Sequence, residues 1–274
     1  MAWVRSELDS IGIPPLKRFG QHFLIDEGVR ERLIQLAELT IQDTVLEVGP
    51  GLGFLTEALV SRAGSVIGIE KDRTLAAYLR TKFAHQQNLT VVEGDALTAQ
   101  IPDGSKVVSS PPYNISSKLI LLIMNSRFRS AALLMQEEFV RRLTAPSGSR
   151  DYGRISVMLQ SKAAAEFVTR VPQDAFYPKP KVDSALVTIR PTSDNIQVKN
   201  QELFIDMVRS LFTQRRRMLK GVLARYLKAR YPARCNTIIQ RVPILDKRIY
   251  QLNPRELITL SNMIVEATAQ SERD

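Results

Sequence analysis

Leu46-Glu47-Val48-Gly49-Pro50-Gly51-Leu52-Gly53 is the stretch on which the fold turns. The apolar run Thr44–Val48 before it reads as a short buried strand, and Leu55–Arg62 after it carries helical periodicity. The glycines therefore sit in a strand-to-helix turn, where they let the chain bend sharply and let a ligand approach the backbone without a side chain between. A tight turn with no ligand is the plainer reading of such a motif taken alone. Two details narrow it. The spacing is G-x-G-x-G, with Phe54 where a dinucleotide fingerprint has its third glycine. Glu47 also precedes the turn, a carboxylate suited to a cofactor's ammonium group and adverse to a pyrophosphate. A nicotinamide dehydrogenase is disfavoured on both counts, and no histidine is placed to serve as its acid or base.

Outward from this turn, strand and helix alternate. Ser65–Glu70, Leu89–Glu93, Lys106–Ser110 and Ala131–Met135 read as further short strands, with helical segments at Arg73–Phe83 and Ser116–Asn125. That alternation predicts a mostly parallel sheet with right-handed crossovers. Glu166–Val171 and Ala185–Arg190 read as two more strands closing one edge, seven in all. Pro191–Val198 has linker character, and five helical segments follow: Glu202–Phe212, Met218–Leu227, Asn236–Val242, Lys247–Tyr250 and Pro254–Ala267. The expected organisation is an α/β domain over 1–191 and a smaller helical domain over 192–274.

At 274 residues, with 44% hydrophobic and 24% charged residues, the chain has the composition of a folded globular protein. No apolar run reaches the length of a membrane span, and the first residues lack a secretory signal. One cysteine, Cys235, excludes a disulfide framework and is expected to pack a helix; two histidines argue against a histidine metal centre. A cytoplasmic monomer without metal is the expectation. The net charge of +10 is concentrated: Arg209–Arg255 holds thirteen Lys or Arg and one acid, while the remainder has 25 basic and 27 acidic residues. A polyanion is the natural partner of such a stretch, with Arg215, Arg216, Arg217 and Lys220 as its densest cluster. The alternative is a solvated arginine-rich face, which the near-absence of balancing acids disfavours.

Candidate site residues lie at successive strand ends. Glu70 ends its strand where a carboxylate can accept both hydroxyls of a ribose; a solvated acid is the alternative there. Asp95, in Glu93-Gly94-Asp95-Ala96, can accept from an exocyclic amine or, equally, cap a helix. Acids at three successive strand ends on one sheet edge are harder to explain separately. Ser110-Pro111-Pro112-Tyr113-Asn114 follows the fourth strand. An adenine N6 amine is a poor nucleophile, and the Ser110 hydroxyl with the Pro111 carbonyl can bind its protons so that the lone pair is redirected. The prolines stiffen the loop, and Tyr113 offers a face for a base drawn from its stack.

Val45–Gly53, Glu70, Asp95 and Ser110–Tyr113 together resemble the successive motifs of Rossmann-like methyltransferases that use S-adenosyl-L-methionine. The blocks Lys17-Arg18-Phe19-Gly20-Gln21-His22-Phe23-Leu24, Phe176–Ser184 and Leu211–Leu219 are similar to signatures of the KsgA/Dim-type small-subunit ribosomal RNA adenine N6,N6-dimethyltransferases. The resemblance covers about residues 14–262. It implies that His22 and Leu24 border the methionine end of the cofactor, and that Gly49 and Gly51 line its middle. Glu70 would hold the ribose, and Asp95 with Ala96 would read the adenine. It also implies a target-base site of Ser110, Pro112 and Tyr113, with Phe176 stacked on the base's other face, and small-subunit ribosomal RNA or the assembling subunit as partner. The family usually shows Asn-Leu-Pro-Tyr where this chain has Ser110-Pro111-Pro112-Tyr113, a variation the broader amino-methyltransferase pattern allows. A 23S-directed adenine methyltransferase shares the catalytic domain, but Gln214–Lys220 and the length of the C-terminal domain speak against it. A non-catalytic RNA-binding assembly factor is the competitor from another class.

Overall fold

The computed structural model describes residues 2–12, 20–192 and 196–269. Lys17, Arg18 and Phe19 of the first signature, and residues 193–195 of the linker, lie outside them. The chain divides into two compact units: Met1–Val140 with Ala163–Pro191, and Arg141–Lys162 with Thr192–Asp274.

The first unit runs α1 (Ala2–Ser10), β1 (Phe23–Leu24), α2 (Glu27–Ala37), β2 (Thr44–Val48), α3 (Phe54–Val60), β3 (Ser65–Glu70), α4 (Arg73–Lys82), β4 (Leu89–Glu93), β5 (Lys106–Ser109), α5 (Ser116–Met124) and β6 (Ser130–Gln136). It ends with β7 (Ala163–Val171), β8 (Phe176–Tyr177) and β9 (Ser184–Pro191). Seven strands form one sheet in the order β4-β3-β2-β5-β6-β9-β7. β4, β3, β2, β5 and β6 are parallel, while β9 runs antiparallel between β6 and β7, and β9 and β7 together close that edge as expected. β2 and β5, with helices on their faces, are buried almost throughout, and even their polar members Glu47, Lys106 and Ser109 lie inside. The core beneath β2 includes Val45, Leu59, Val66, Val108 and Leu134.

At the starts of the strands, Asp43 is 4% exposed and pairs with Lys106 Nζ at 3.0 Å and Arg129 at 3.2 Å. Its Oδ2 also accepts from Thr40 N at 2.7 Å. Burial raises this carboxyl, but the bonds from Lys106 and Thr40 outweigh burial and hold it below the usual range. At the start of α4, Asp72 accepts from Thr74 N at 3.0 Å, and Arg80 and Lys82 occupy the last turn, opposite the positive dipole end.

The second unit contains α6 (Glu137–Thr144) from Arg141 onward, α7 (Arg154–Gln160), α8 (Gln201–Leu211), α9 (Leu219–Arg230), α10 (Cys235–Gln240) and α11 (Pro254–Ala269). A single cut at Pro191 is therefore corrected: Arg141–Lys162 packs with the helices that follow the linker. The reason is burial. Ala145, Tyr152 and Val157 share a core with Phe204, Met207, Leu223 and Ile264. The Tyr152 hydroxyl donates to Leu252 O at 2.9 Å, and its ring meets Phe212 edge-on at 5.9 Å. Cys235 is buried, its Sγ 3.6 Å from Ala224 O. Lys247–Tyr250, read as helical, yields only a 3-10 turn at Ile249–Gln251.

Candidate active site

Four adjacent parallel strands, β4, β3, β2 and β5, bring their C-terminal ends to one sheet edge, with β2 between neighbours reached by opposite crossovers. Open α/β sheets bind ligands at such a switch point. Here a cavity of about 240 Å³ opens, lined by His22, Leu24, Glu47, Gly49, Gly51, Glu70, Asp95, Ala96, Ser110, Pro112 and Tyr113 among others. All of these were singled out from sequence.

Gly49 and Gly51 hold φ of 68° and 62°, values costly for any other residue. A Cβ on Gly49 would lie 3.1 Å from Pro112, and one on Gly51 would lie 3.0 Å from Phe23. The three glycine N–H groups of this turn are already used within the protein. Gly49 N bonds Ile69 O at 2.9 Å, Gly51 N bonds Glu70 Oε2 at 3.0 Å, and Gly53 N bonds Pro50 O at 3.0 Å. A pyrophosphate would find no free donor at these glycines and two carboxylates nearby. The cavity instead suits a ligand with positive charge.

Glu47 is 2% exposed and accepts from the Thr56 hydroxyl at 2.7 Å. Burial, reinforced by the charge of Glu70, pushes its carboxyl up to about 8, with the Thr56 bond opposing. Glu70 is held by backbone N–H groups, Gly51 N on one oxygen and Asp72 N at 2.9 Å on the other. Its carboxyl is also raised, by burial, against those bonds. Asp95 accepts from Leu97 N at 3.0 Å and pairs with Lys71 Nζ at 2.8 Å, which lowers its carboxyl. Asp95 therefore caps a 3-10 turn, one of the two roles read from sequence, and it also lines the cavity.

Beyond β5, successive residues part company as strand periodicity requires. Ser109 is buried with its hydroxyl on Val48 O at 2.7 Å, while Ser110 lines the cavity and has no hydrogen-bond partner among the described residues. Tyr113 is anchored by its hydroxyl 2.5 Å from Ser184 Oγ, and burial pushes the phenol up to about 12. The His22 ring stacks over Tyr113 at 5.7 Å, and its Nδ1 donates to Pro178 O at 2.7 Å. Because a carbonyl only accepts, the proton on that ring lies on Nδ1.

Two expectations are altered. Phe176 does not line the cavity; it is 2% exposed, packed in the core below and edge-on to Tyr113 at 6.4 Å. It pairs with Leu24 across the small β1–β8 ribbon and so supports Tyr113 from beneath. Arg215 is not a free cation either, since its guanidinium donates to Tyr152 O at 2.5 Å and Arg150 O at 2.6 Å. Arg216, Arg217 and Lys220 are exposed, as are Arg209, Lys228 and Arg241, and none has a side-chain partner among the described residues. Sequence reasoning missed Trp3, Phe54 and Lys71 in the cavity wall. Lys71 was legible as the neighbour of Glu70; Trp3 was not.

Residues 16–259 match the profile of the family described as ribosomal RNA adenine dimethylase. The chain belongs to this family. As an adenine dimethylase of ribosomal RNA, it is a methyltransferase with close relatives over nearly its full length. A probable ribosomal RNA small subunit methyltransferase A from Pyrococcus abyssi is 40% identical over 94% of this chain and 95% of its own. One of the same description from Methanosarcina mazei is 36% identical over 92% and 94%. Among solved structures, a dimethyladenosine transferase from Plasmodium falciparum superposes with a TM-score of 0.82 at 26% identity, covering 90% of this dimethylase and 98% of that chain. The 23S rRNA methyltransferase ErmE gives 0.69 at 30% identity, covering 89% and 99%. No helix among the described residues is long and apolar enough to cross a membrane.

Proposed function

We propose that the chain binds S-adenosyl-L-methionine in the cavity at the β2–β5 edge and dimethylates N6 of adenines in small-subunit ribosomal RNA. It would do so as a cytoplasmic monomer acting in ribosome biogenesis. The observation that carries this is the unpartnered Ser110 hydroxyl, held between a cation-favouring cavity and the anchored Tyr113 ring. The donor set fits the cofactor: acids line the cavity, and the glycine turn leaves room for a chain while its glycine N–H groups are already bonded within the protein.

When bound, the cofactor supplies an electrophilic methyl on a sulfonium. Glu47 faces its ammonium group, with His22 and Leu24 bordering the methionine end and Gly49 and Gly51 lining the middle. Glu70 receives the ribose, and Asp95 with Ala96 the adenine. For the target base, the Ser110 hydroxyl and the Pro111 carbonyl accept the two N6 protons and redirect the lone pair. Tyr113 carries the base on its ring, and Pro112 fixes the loop; catalysis then rests on positioning and electrostatics. Arg216, Arg217 and Lys220, with the neighbouring exposed cations, contact RNA phosphates.

The test is nucleoside mass spectrometry after incubation of the protein and cofactor with small-subunit RNA, large-subunit RNA and partly assembled small subunits. N6,N6-dimethyladenosine from the small-subunit substrates is expected. Modification of large-subunit RNA alone would favour the ErmE-like reading, and binding without methyl transfer would leave an assembly factor.

A further inference from the structure

α1 begins before the residues matched by the family profile, which start at residue 16. It is nonetheless built into the first unit. Val4 and Leu8 are 0% and 5% exposed and pack with Phe23, Leu52 and Leu75. Glu7 pairs with Lys82 Nζ at 3.0 Å, and the same ammonium donates to Leu52 O at 3.0 Å. These anchors bring Trp3 into the cavity wall, where its ring lies against Phe54 at 5.3 Å.

The neighbouring rings already carry cations. Arg30 sits over Phe54 at 4.4 Å and Arg5 over Tyr177 at 5.3 Å. Trp3 has no cation against its ring among the described residues, although indole is the strongest aromatic partner for one. Its position along the cavity follows from topology. Phe54, on which it rests, opens α3 directly after the glycine turn of β2. Asp95 and Ala96 follow β4, two strands away in the sheet. Trp3 therefore belongs to the end of the cavity remote from the adenine position.

We infer that Trp3 is a cofactor-binding residue, its ring meeting the cationic methionyl end of S-adenosyl-L-methionine. The inference rests on the cofactor assignment above and adds to it a contact that the family profile does not span.

Trp3 is the chain's one tryptophan, so intrinsic fluorescence reports on it alone. Titration of the full chain with S-adenosyl-L-methionine is expected to change the emission saturably, with the Kd found by calorimetry. Trp3→Ala should weaken that Kd by about tenfold, and Trp3→Phe should retain most of the affinity. S-adenosylhomocysteine, which lacks the sulfonium charge, should lose less in Trp3→Ala. Calorimetric binding without an emission change, or at undiminished affinity in Trp3→Ala, overturns the role of Trp3 and leaves the cofactor assignment standing. No calorimetric binding to the wild-type chain overturns both.

Discussion

Cofactor binding should be coupled to deprotonation of Glu47. This carboxyl is 2% exposed, lies beside the Glu70 carboxylate, and is pushed up to about 8. With that value, about one molecule in ten carries an ionised Glu47 at pH 7, and about one in a hundred at pH 6. A cofactor whose ammonium needs the carboxylate must draw binding from that fraction, so affinity should rise about tenfold between pH 6 and pH 7, or about 1.4 kcal/mol. The window lies below the usual range of an α-amino group, so the ligand keeps its charge. Calorimetry in buffers of different ionisation enthalpy should then count about 0.9 proton released per cofactor at pH 7. Glu47→Gln, which keeps the Thr56 hydroxyl's acceptor, should abolish both the slope and the release. That comparison separates Glu47 from Glu70, whose carboxyl burial also raises. A flat wild-type profile, or an equal slope in Glu47→Gln, would refute the reasoning.

The same group affects stability. A folded-state value raised above the unfolded one gives stability that is full below about pH 4.5 and lost as pH rises through 8. Glu47→Gln should therefore unfold at higher denaturant than wild type at pH 9, by up to about 5 kcal/mol, and show little difference at pH 4. Glu70→Ala should weaken both cofactor binding and the fold, because it frees two backbone N–H groups; thermal unfolding should fall for it and not for exposed-site controls. Tyr113→Ala should cut turnover by the equivalent of about 1–3 kcal/mol with cofactor Kd unchanged, whereas Tyr113→Phe should keep most activity and lose only the Ser184 bond; equal rates in both variants would place the base elsewhere. Replacing Arg216 and Arg217 with Gln should flatten the slope of log RNA affinity against log salt by roughly 0.7–0.9 per residue, and an unchanged slope would make the cluster a solvated face.

How much of this was legible depends on where each determinant lies. β2 and β3 were bounded correctly because a mostly buried strand in a parallel sheet shows as a mainly apolar run closed by turn residues, whereas β4, none of whose residues is buried, was legible from its β-branched Thr90-Val91-Val92. α1 was not legible. Nine residues are too few to be helical alone, and its partners Leu52, Leu75 and Lys82 are 44 or more positions away. The two-residue strands Phe23–Leu24 and Phe176–Tyr177 offer no period at all. Phe176 read as a second wall because an aromatic in a signature does not disclose its own burial. Arg215 likewise displayed its charge but not the carbonyls that hold it. α2, by contrast, was overlooked although its cap Asp26 and the apolar Leu33, Ile34 and Ala37 were in plain view.

The pairing of Phe23 with Tyr177 and Leu24 with Phe176 sets a timetable for biosynthesis. Phe23 and Leu24 leave the ribosome early, but the strand that holds them follows some 150 residues later, after the chain has detoured through the second unit. Closing so long a loop adds only a few kcal/mol of entropy, since the cost grows with the logarithm of length. What length imposes is order: at a synthesis rate of about 5–20 residues per second, the strand that braces Phe23 and Leu24 trails them by roughly eight to thirty seconds. A nascent chain can thus present the glycine turn and its acids well before it can retain a cofactor. Ligand capture would mark the moment when the last strands of the sheet have emerged and docked.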